Sequence, residues 1–338
     1  MASTTNSSIG GGVMPEQISI ISGGVGGAKL VEGLYHTVDS KQLSVIPNVA
    51  DDDEFYGLWV SPDVDTLLYT LSNRVNRDAG WGIAGDTLHL QSALTQLGRD
   101  SWMTLGDQDL ATHITRSERL QRGQRPTDIT TWLAAQSGID CRVLLPTDDK
   151  WQTRIESSHG VLSMQQYFVK HRHQPTVKNL YHRNITTTGM SAEITPETQQ
   201  ALEHSDLIFI APSNPLLSIG PTLAINGVRE CLTNSSAKRV AVSPLIGGKA
   251  VKGPTAEVMT ALGYRADVLG IADYYHGLID TLVIDEQDQQ HADALAQQGL
   301  EVIIMNTLMD DLTSRQRFAR SLLDAIADQQ APRKTEVA

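Results

Sequence analysis

The chain has 338 residues, room for one large domain or two ordinary ones, and carries 27 basic against 39 acidic side chains, a net charge of −12. Such a surface has no general attraction for a polyanion, which argues against nucleic acid as a partner. Two cysteines without metal-type spacing suit a reducing compartment such as the cytoplasm, and no apolar run approaches the roughly 20 residues of a membrane span. The first residues, Met1 to Gly12, are rich in Ser, Thr and Gly and read as a disordered tail rather than a signal peptide.

Apolar runs at 18–21, 43–46, 141–145, 207–211, 239–243, 267–271, 281–284 and 301–304 are rich in Val, Ile and Leu and mostly lack alternation. Strands covered on both faces, as in a parallel sheet, have this character. Helical patterns lie between many of them, at 196–204, 254–262 and 291–298, and an amphipathic helix closes the chain at 311–328. Residues 63–138 break the rhythm with helices predicted near 63–73, 86–97, 107–121 and 127–137, and 150–183 read as a short, polar β-meander. The expected architecture is α/β: a Rossmann-like, doubly wound, mostly parallel sheet with a helical and β-meander insert acting as a lid. One domain is expected over 18–328, its insert at about 63–190, with disordered tails at 1–17 and 329–338. In such a sheet ligands bind outside the carboxyl ends of the strands.

The first of those ends carries Ser22-Gly23-Gly24-Val25-Gly26-Gly27-Ala28-Lys29, a glycine turn between strand and helix. Removing Cβ atoms lets backbone N–H groups approach a phosphate, the following helix points its positive end into the same space, and Lys29 adds a charge. The turn matches neither dinucleotide fingerprint nor Walker loop: Lys29 stands where the third glycine belongs, and no Ser or Thr follows it. A tight turn that binds nothing is the plain alternative. If only a ligand demands Gly26, then Gly26→Ala should keep the fold and weaken nucleotide binding.

The second strand ends in Asp51-Asp52-Asp53-Glu54. Four carboxylates repel one another by about 1 kcal/mol per close pair in water and by more when buried. A solvated acidic loop screens that cost; a hard divalent cation offsets it. Ser61-Pro62-Asp63-Val64-Asp65-Thr66 follows, with Asp63 reading as a helix cap and Asp65 as a second metal ligand or an acceptor for substrate. Replacing a clustered carboxylate there should spare the fold. In Gly106-Asp107-Gln108-Asp109-Leu110-Ala111-Thr112-His113, Asp107 suits a cap for its own helix and His113 a satisfied internal partner. Later strands end in the 212–221 loop, with Ser213, Asn214, Ser218 and Gly220, and in the 243–249 loop, with Ser243 and Lys249. Three polar Gly/Pro loops after three strands point to a shared phosphate-bearing ligand.

These segments, together with Asn48 and Gly80-Trp81-Gly82-Ile83, keep an order in which the chain resembles the 2-phospho-L-lactate transferase family of deazaflavin coenzyme F-420 biosynthesis. The resemblance spans most of 18–310. It implies transfer of a phosphorylated three-carbon acid (phospholactyl, phosphoenolpyruvyl or 3-phosphoglyceryl) from its guanosine diphosphate ester to the ribityl hydroxyl of the deazaflavin Fo, with release of GMP. It also implies Mg²⁺, a homodimer and a Rossmann-like core. On that likeness Asp51 and Asp65 match positions associated with metal and acceptor, and Asp65 is the candidate catalytic residue. Thr104 matches an acceptor contact where some members carry a longer basic residue. The 23–27 turn (Gly23, Gly24, Gly26 and Gly27) with Lys29 would hold an oxyanion, and the 212–221 and 243–249 loops match segments near the guanosine diphosphate. A nicotinamide-dependent oxidoreductase, or a nucleotide- or deazaflavin-binding protein without turnover, are the alternative readings.

Overall fold

A computed structural model describes residues 15–187, 189–250 and 253–330. Its centre is a seven-stranded sheet in the spatial order Glu301–Ile304, Thr281–Ile284, Lys238–Val242, Leu207–Ile210, Ile18–Ser22, Leu43–Pro47, Arg142–Val143. Every neighbouring pair is parallel. The unbroken apolar runs have a direct cause. Ile20 packs into one core cluster with Leu30, Leu34 and Phe318, and Ile21 into the other with Ile210, Leu216 and Ile271. Both faces of the strand are buried, so alternation has no advantage, and each such side chain contributes about 1.5–3 kcal/mol.

Two expectations at the strands are corrected. The run 267–271 is not a strand: Asp267 accepts a hydrogen bond from the Gly270 N–H at 2.9 Å and caps a helix, Val268–Tyr274. Of the run 141–145 only Arg142–Val143 joins the ladder, at the sheet edge beside Ser44 and Val45. The helices fall close to their expected places, at Pro62–Leu71, His89–Gln96, Asp107–Gln121 and Pro126–Gln136. The meander is a three-stranded antiparallel sheet of Trp151–Ser157, Gly160–Ser163 and Val177–Asn184.

At the chain ends, the Glu16 and Gln17 N–H groups donate to Asp206, and the closing helix runs Leu312–Gln330. The remainder of both expected tails lies outside the described residues. Buried Glu32 receives Arg315 of that helix and Arg77, so one carboxylate ties Gly24–Tyr35 to two distant segments. Burial opposes its charge, but the two guanidinium groups prevail and hold its carboxyl below the usual range. No described helix is long and apolar enough to cross a membrane.

The site follows from topology. From Ile18–Ser22 the chain winds outward to Leu43–Pro47 on one side, and from Leu207–Ile210 to Lys238–Val242 on the other. The crevice between these two divergent halves opens at the carboxyl ends of adjacent strands, after Ser22 and Ile210, where ligands of such sheets bind.

Candidate active site

The glycine turn is tighter than its sequence suggested. The helix begins at Gly24, with Gly23 at its cap position, so the glycines form its first turn. Gly24 itself has φ +60°, a left-handed conformation that favours glycine. The Ser213 hydroxyl donates to the Gly23 carbonyl at 2.7 Å, and the Gly23 N–H lies 3.2 Å from the same hydroxyl oxygen. The 212 loop is thereby fastened to the turn across the switch point. The first helical turn carries no acidic side chain and no side-chain cap, so its remaining N–H groups face the crevice.

Gly26 has a structural duty too. A Cβ there would stand 2.5 Å from the Pro212 carbonyl oxygen. The expectation of a harmless Gly26→Ala is therefore corrected. That variant should lose about 1–3 kcal/mol by overpacking, and nucleotide binding with it. Gly24→Asn separates the two roles. Asn tolerates positive φ, and a Cβ at Gly24 meets only the Ser218 hydroxyl at 3.8 Å. We expect it to stay within about 1 kcal/mol of wild type in a urea melt yet to bind GDP at least about tenfold more weakly by calorimetry.

A cavity of about 610 Å³ lies over the crevice. Of the residues singled out in the sequence, Gly23, Gly24, Gly26, Lys29, Asp51, Asp65, Thr104, Ser213, Asn214, Ser218 and Ser243 line it. Three are elsewhere. Gly27 packs beneath the turn against Ser213 and Ser22. Gly220 lies against the Tyr274 hydroxyl. Lys249 is exposed in the short hairpin strand Lys249–Ala250.

The acidic run divides by function. Asp52 is structural: its carboxylate accepts from the Ser61 hydroxyl at 2.7 Å and the Trp59 indole at 3.2 Å. Asp53 and Glu54 belong to the hairpin strand Asp53–Phe55. Asp51 reaches the cavity, and Asp63 joins it there. Asp63 is not the cap expected: it accepts from the Asn48 amide at 3.0 Å and from the Gly24 N–H, bridging the second strand end to the glycine turn. Burial raises both carboxyls, Asp63 to about 6 and Asp51 well above its ordinary value, with Asp63 adding repulsion at Asp51. Asp51 Oδ1 is buried without a hydrogen-bond partner among the described residues. A buried and a half-buried carboxylate that repel each other, one with an orphaned oxygen, are the donor set a hard divalent cation satisfies.

Asp65 has a different environment. Arg116 of the helix Asp107–Gln121 engages both its oxygens, through a short contact from Nη2 to Oδ1 and through Nη1 to Oδ2 at 3.1 Å. The Ser61 N–H also approaches Oδ2, and His113 Nδ1 stands 3.6 Å from it. His113 Nε2 lies 3.2 Å from Asp109 Oδ1, which also accepts from the Tyr69 hydroxyl at 2.6 Å. Burial disfavours the Asp109 charge, but His113 and then Tyr69 hold its carboxyl below the usual range. Asp65, Asp109 and His113 could each offer one ligand atom, all within 4.8 Å of one another. The Arg116 guanidinium already neutralises Asp65 there, so the Asp51–Asp63 pair fits a cation better than Asp51 with Asp65.

The helix ends are reciprocally capped. Asp107 accepts from the His89 and Leu90 N–H groups and so caps the preceding helix, not its own; Asp86 accepts from the Gln108 and Asp109 N–H groups. This exchange fixes Asp109 and His113 over the cavity. Apolar side chains complete the lining, with Trp81, Trp102, Met103, Met164, Phe168 and Val169.

The family model described as 2-phospho-L-lactate transferase CofD matches residues 18–320. The chain belongs to this family. It is an enzyme, a transferase. The 2-phospho-L-lactate transferase of Methanococcoides burtonii is 37% identical over 309 residues, 91% of this chain and 99% of that protein. Its counterpart from Methanocaldococcus jannaschii is 34% identical over 311 residues, 91% and 97% of the two chains. Among solved structures, a UPF0052 family protein from Bacillus halodurans superposes with a TM-score of 0.59 at 14% identity, covering 92% of this chain and 100% of its own, a likeness of fold alone.

Proposed function

We infer that this transferase moves a phosphorylated three-carbon acid from its guanosine diphosphate ester to the ribityl hydroxyl of Fo, in coenzyme F-420 biosynthesis. The observation that carries the reading is the single cavity that the glycine turn, Asp51 and Asp63, and several aromatic side chains line together. Phosphoryl transfer needs charge neutralisation and in-line positioning more than a strong nucleophile, and the polar lining suits both. The hydroxyl oxygen forms a bond to the phosphorus beside the acid, its proton passes by way of Asp109 to water, the bond from that phosphorus to the bridging oxygen breaks, and GMP leaves with that oxygen.

N–H groups of the first turn after Gly24, with Lys29, would hold the diphosphate at the positive end of the helix. Asp51 and Asp63 would hold Mg²⁺, which supplies charge neutralisation at the phosphate. Asp65, with both oxygens engaged by Arg116, holds the guanidinium whose Nη1 donates to His113 Nδ1 at 3.3 Å, which leaves His113 Nε2 facing Asp109. Asp109 faces the cavity and is the carboxylate left to accept a hydrogen bond from the incoming hydroxyl. Trp81, Trp102 and Phe168 offer flat apolar surface to a heteroaromatic acceptor. Ser213, Asn214 and Ser243 stand beside the expected nucleotide, and a homodimer and cytoplasmic site of action accord with this reading.

One mixing assay separates it from its rivals. With Fo, a guanylylated donor and Mg²⁺, GMP should accumulate. Absorbance change at the nicotinamide band instead would indicate an oxidoreductase, and binding without either product would indicate a sensor.

A further inference from the structure

Arg172 stands out among the groups that this mechanism leaves unused. The described lining of the cavity holds four aspartates, Asp51, Asp63, Asp65 and Asp109, against only two side chains of fixed positive charge, Lys29 and Arg172. A diphosphate ester of a carboxylic acid carries several negative charges, so each cation on the wall matters. Arg172 is exposed toward solvent at the cavity and makes no hydrogen bond or ion pair with any described residue.

Its backbone is unusual. Arg172 and His173 are consecutive non-glycine residues in the left-handed region, at φ +50° and +46°. Side chains rarely adopt this conformation, and it persists only where surrounding contacts enforce it. Here they do. The His171 N–H donates to the Gln166 carbonyl at 2.9 Å, the His173 N–H to the Tyr167 carbonyl at 2.8 Å, and the Gln174 N–H to the His171 carbonyl at 3.1 Å. Tyr167 is buried, and the Phe168 and His173 rings stand 5.6 Å apart. The same segment is fastened to the acidic loop, since the Gln165 amide donates to the Asp51 carbonyl at 3.3 Å. A glycine would take this turn without strain, yet the chain keeps an arginine there, next to the site, with its guanidinium unengaged.

We propose that Arg172 is a substrate-positioning arm that binds an anionic group of the donor, a carboxylate or phosphate oxygen. A guanidinium suits both, because its planar fork donates to two oxygens at once, which lysine cannot match. The proposal rests on the donor assigned above.

Calorimetric titration tests it, with GDP and with guanylylated 2-phospholactate, each with Mg²⁺, against wild type, Arg172→Gln, Arg172→Lys and Arg172→Gly. The Gln and Gly variants should bind guanylylated 2-phospholactate at least tenfold more weakly, with Lys between them and wild type. Melting temperature should not fall in any of them, because the side chain has no partner among the described residues and glycine relieves the turn. GDP affinity unchanged would identify the carboxylate as the group bound; GDP affinity lowered in parallel would identify the diphosphate. Wild-type affinity for guanylylated 2-phospholactate in the Gln and Gly variants would overturn the proposal. Failure of wild type to bind either compound would instead overturn the donor assignment and this inference with it.

Discussion

Asp51→Asn and Asp63→Asn will each lower turnover about 100-fold or more at saturating donor and Mg²⁺, without loss of thermal stability. The magnitude is that of removing a charge partner formed up for a transition state. The stability follows from the environment. Asp51 is buried and Asp63 half-buried, loss of water raises both, and Asp51 has an oxygen without a hydrogen bond among the described residues. An isosteric amide removes that repulsion. At Asp63 it puts an amide where the Asn48 amide and the Gly24 N–H donate, so retention of the fold there requires that the oxygen stay toward them. Initial rates and melting curves with and without Mg²⁺ check the pair. Wild-type turnover in both variants would remove these residues from the chemistry.

Arg116→Gln will destabilise the fold by about 3–5 kcal/mol, the cost of leaving one member of a buried ion pair without its partner. Arg116 and Asp65 are both nearly inaccessible, with side-chain exposures of 4% and 5%, and the substitution leaves Asp65 buried without the guanidinium that pairs with it. The same reasoning corrects the expectation that Asp65→Asn spares the fold: it strands Arg116 instead. Replacing both by Leu should recover most of the loss, since a buried pair is worth little against apolar residues of similar volume. Urea denaturation of the two single variants and the double variant measures this. A loss below about 1 kcal/mol in Arg116→Gln would mean the pair is solvated.

Much of the sheet was legible because a strand buried on both faces must be apolar throughout, as Ile18–Ser22 and Thr281–Ile284 are. The run 267–271 has the same composition and is a helix, because Asp267 caps it; local apolarity does not separate a short buried strand from a short buried helix. At the site, the glycine turn and Asp51 could be found from strand ends alone. Asp63 could not, since a carboxylate at the start of a helix looks like a cap whether or not it turns toward another strand.

Arg116 was missed, although a signal existed. Asp109, His113 and Arg116 are spaced i, i+4 and i+7 along one helix, and Asp65 and Tyr69 are spaced i, i+4 along another. Polar stripes at that spacing are ordinary on solvated faces. Only the packing of the two helices shows that these stripes face each other. Arg172 gave no signal at all, because its placement depends on two left-handed residues that no sequence pattern announces.

The most direct measurement is mass spectrometry of the product formed from Fo and Mg²⁺ with guanylylated 2-phospholactate, guanylylated phosphoenolpyruvate or guanylylated 3-phosphoglycerate. A deazaflavin heavier by one phosphorylated three-carbon acid, in equal amount to GMP, is expected with at least one of the three donors. Folded protein that yields neither GMP nor a heavier deazaflavin from any of them would contradict it.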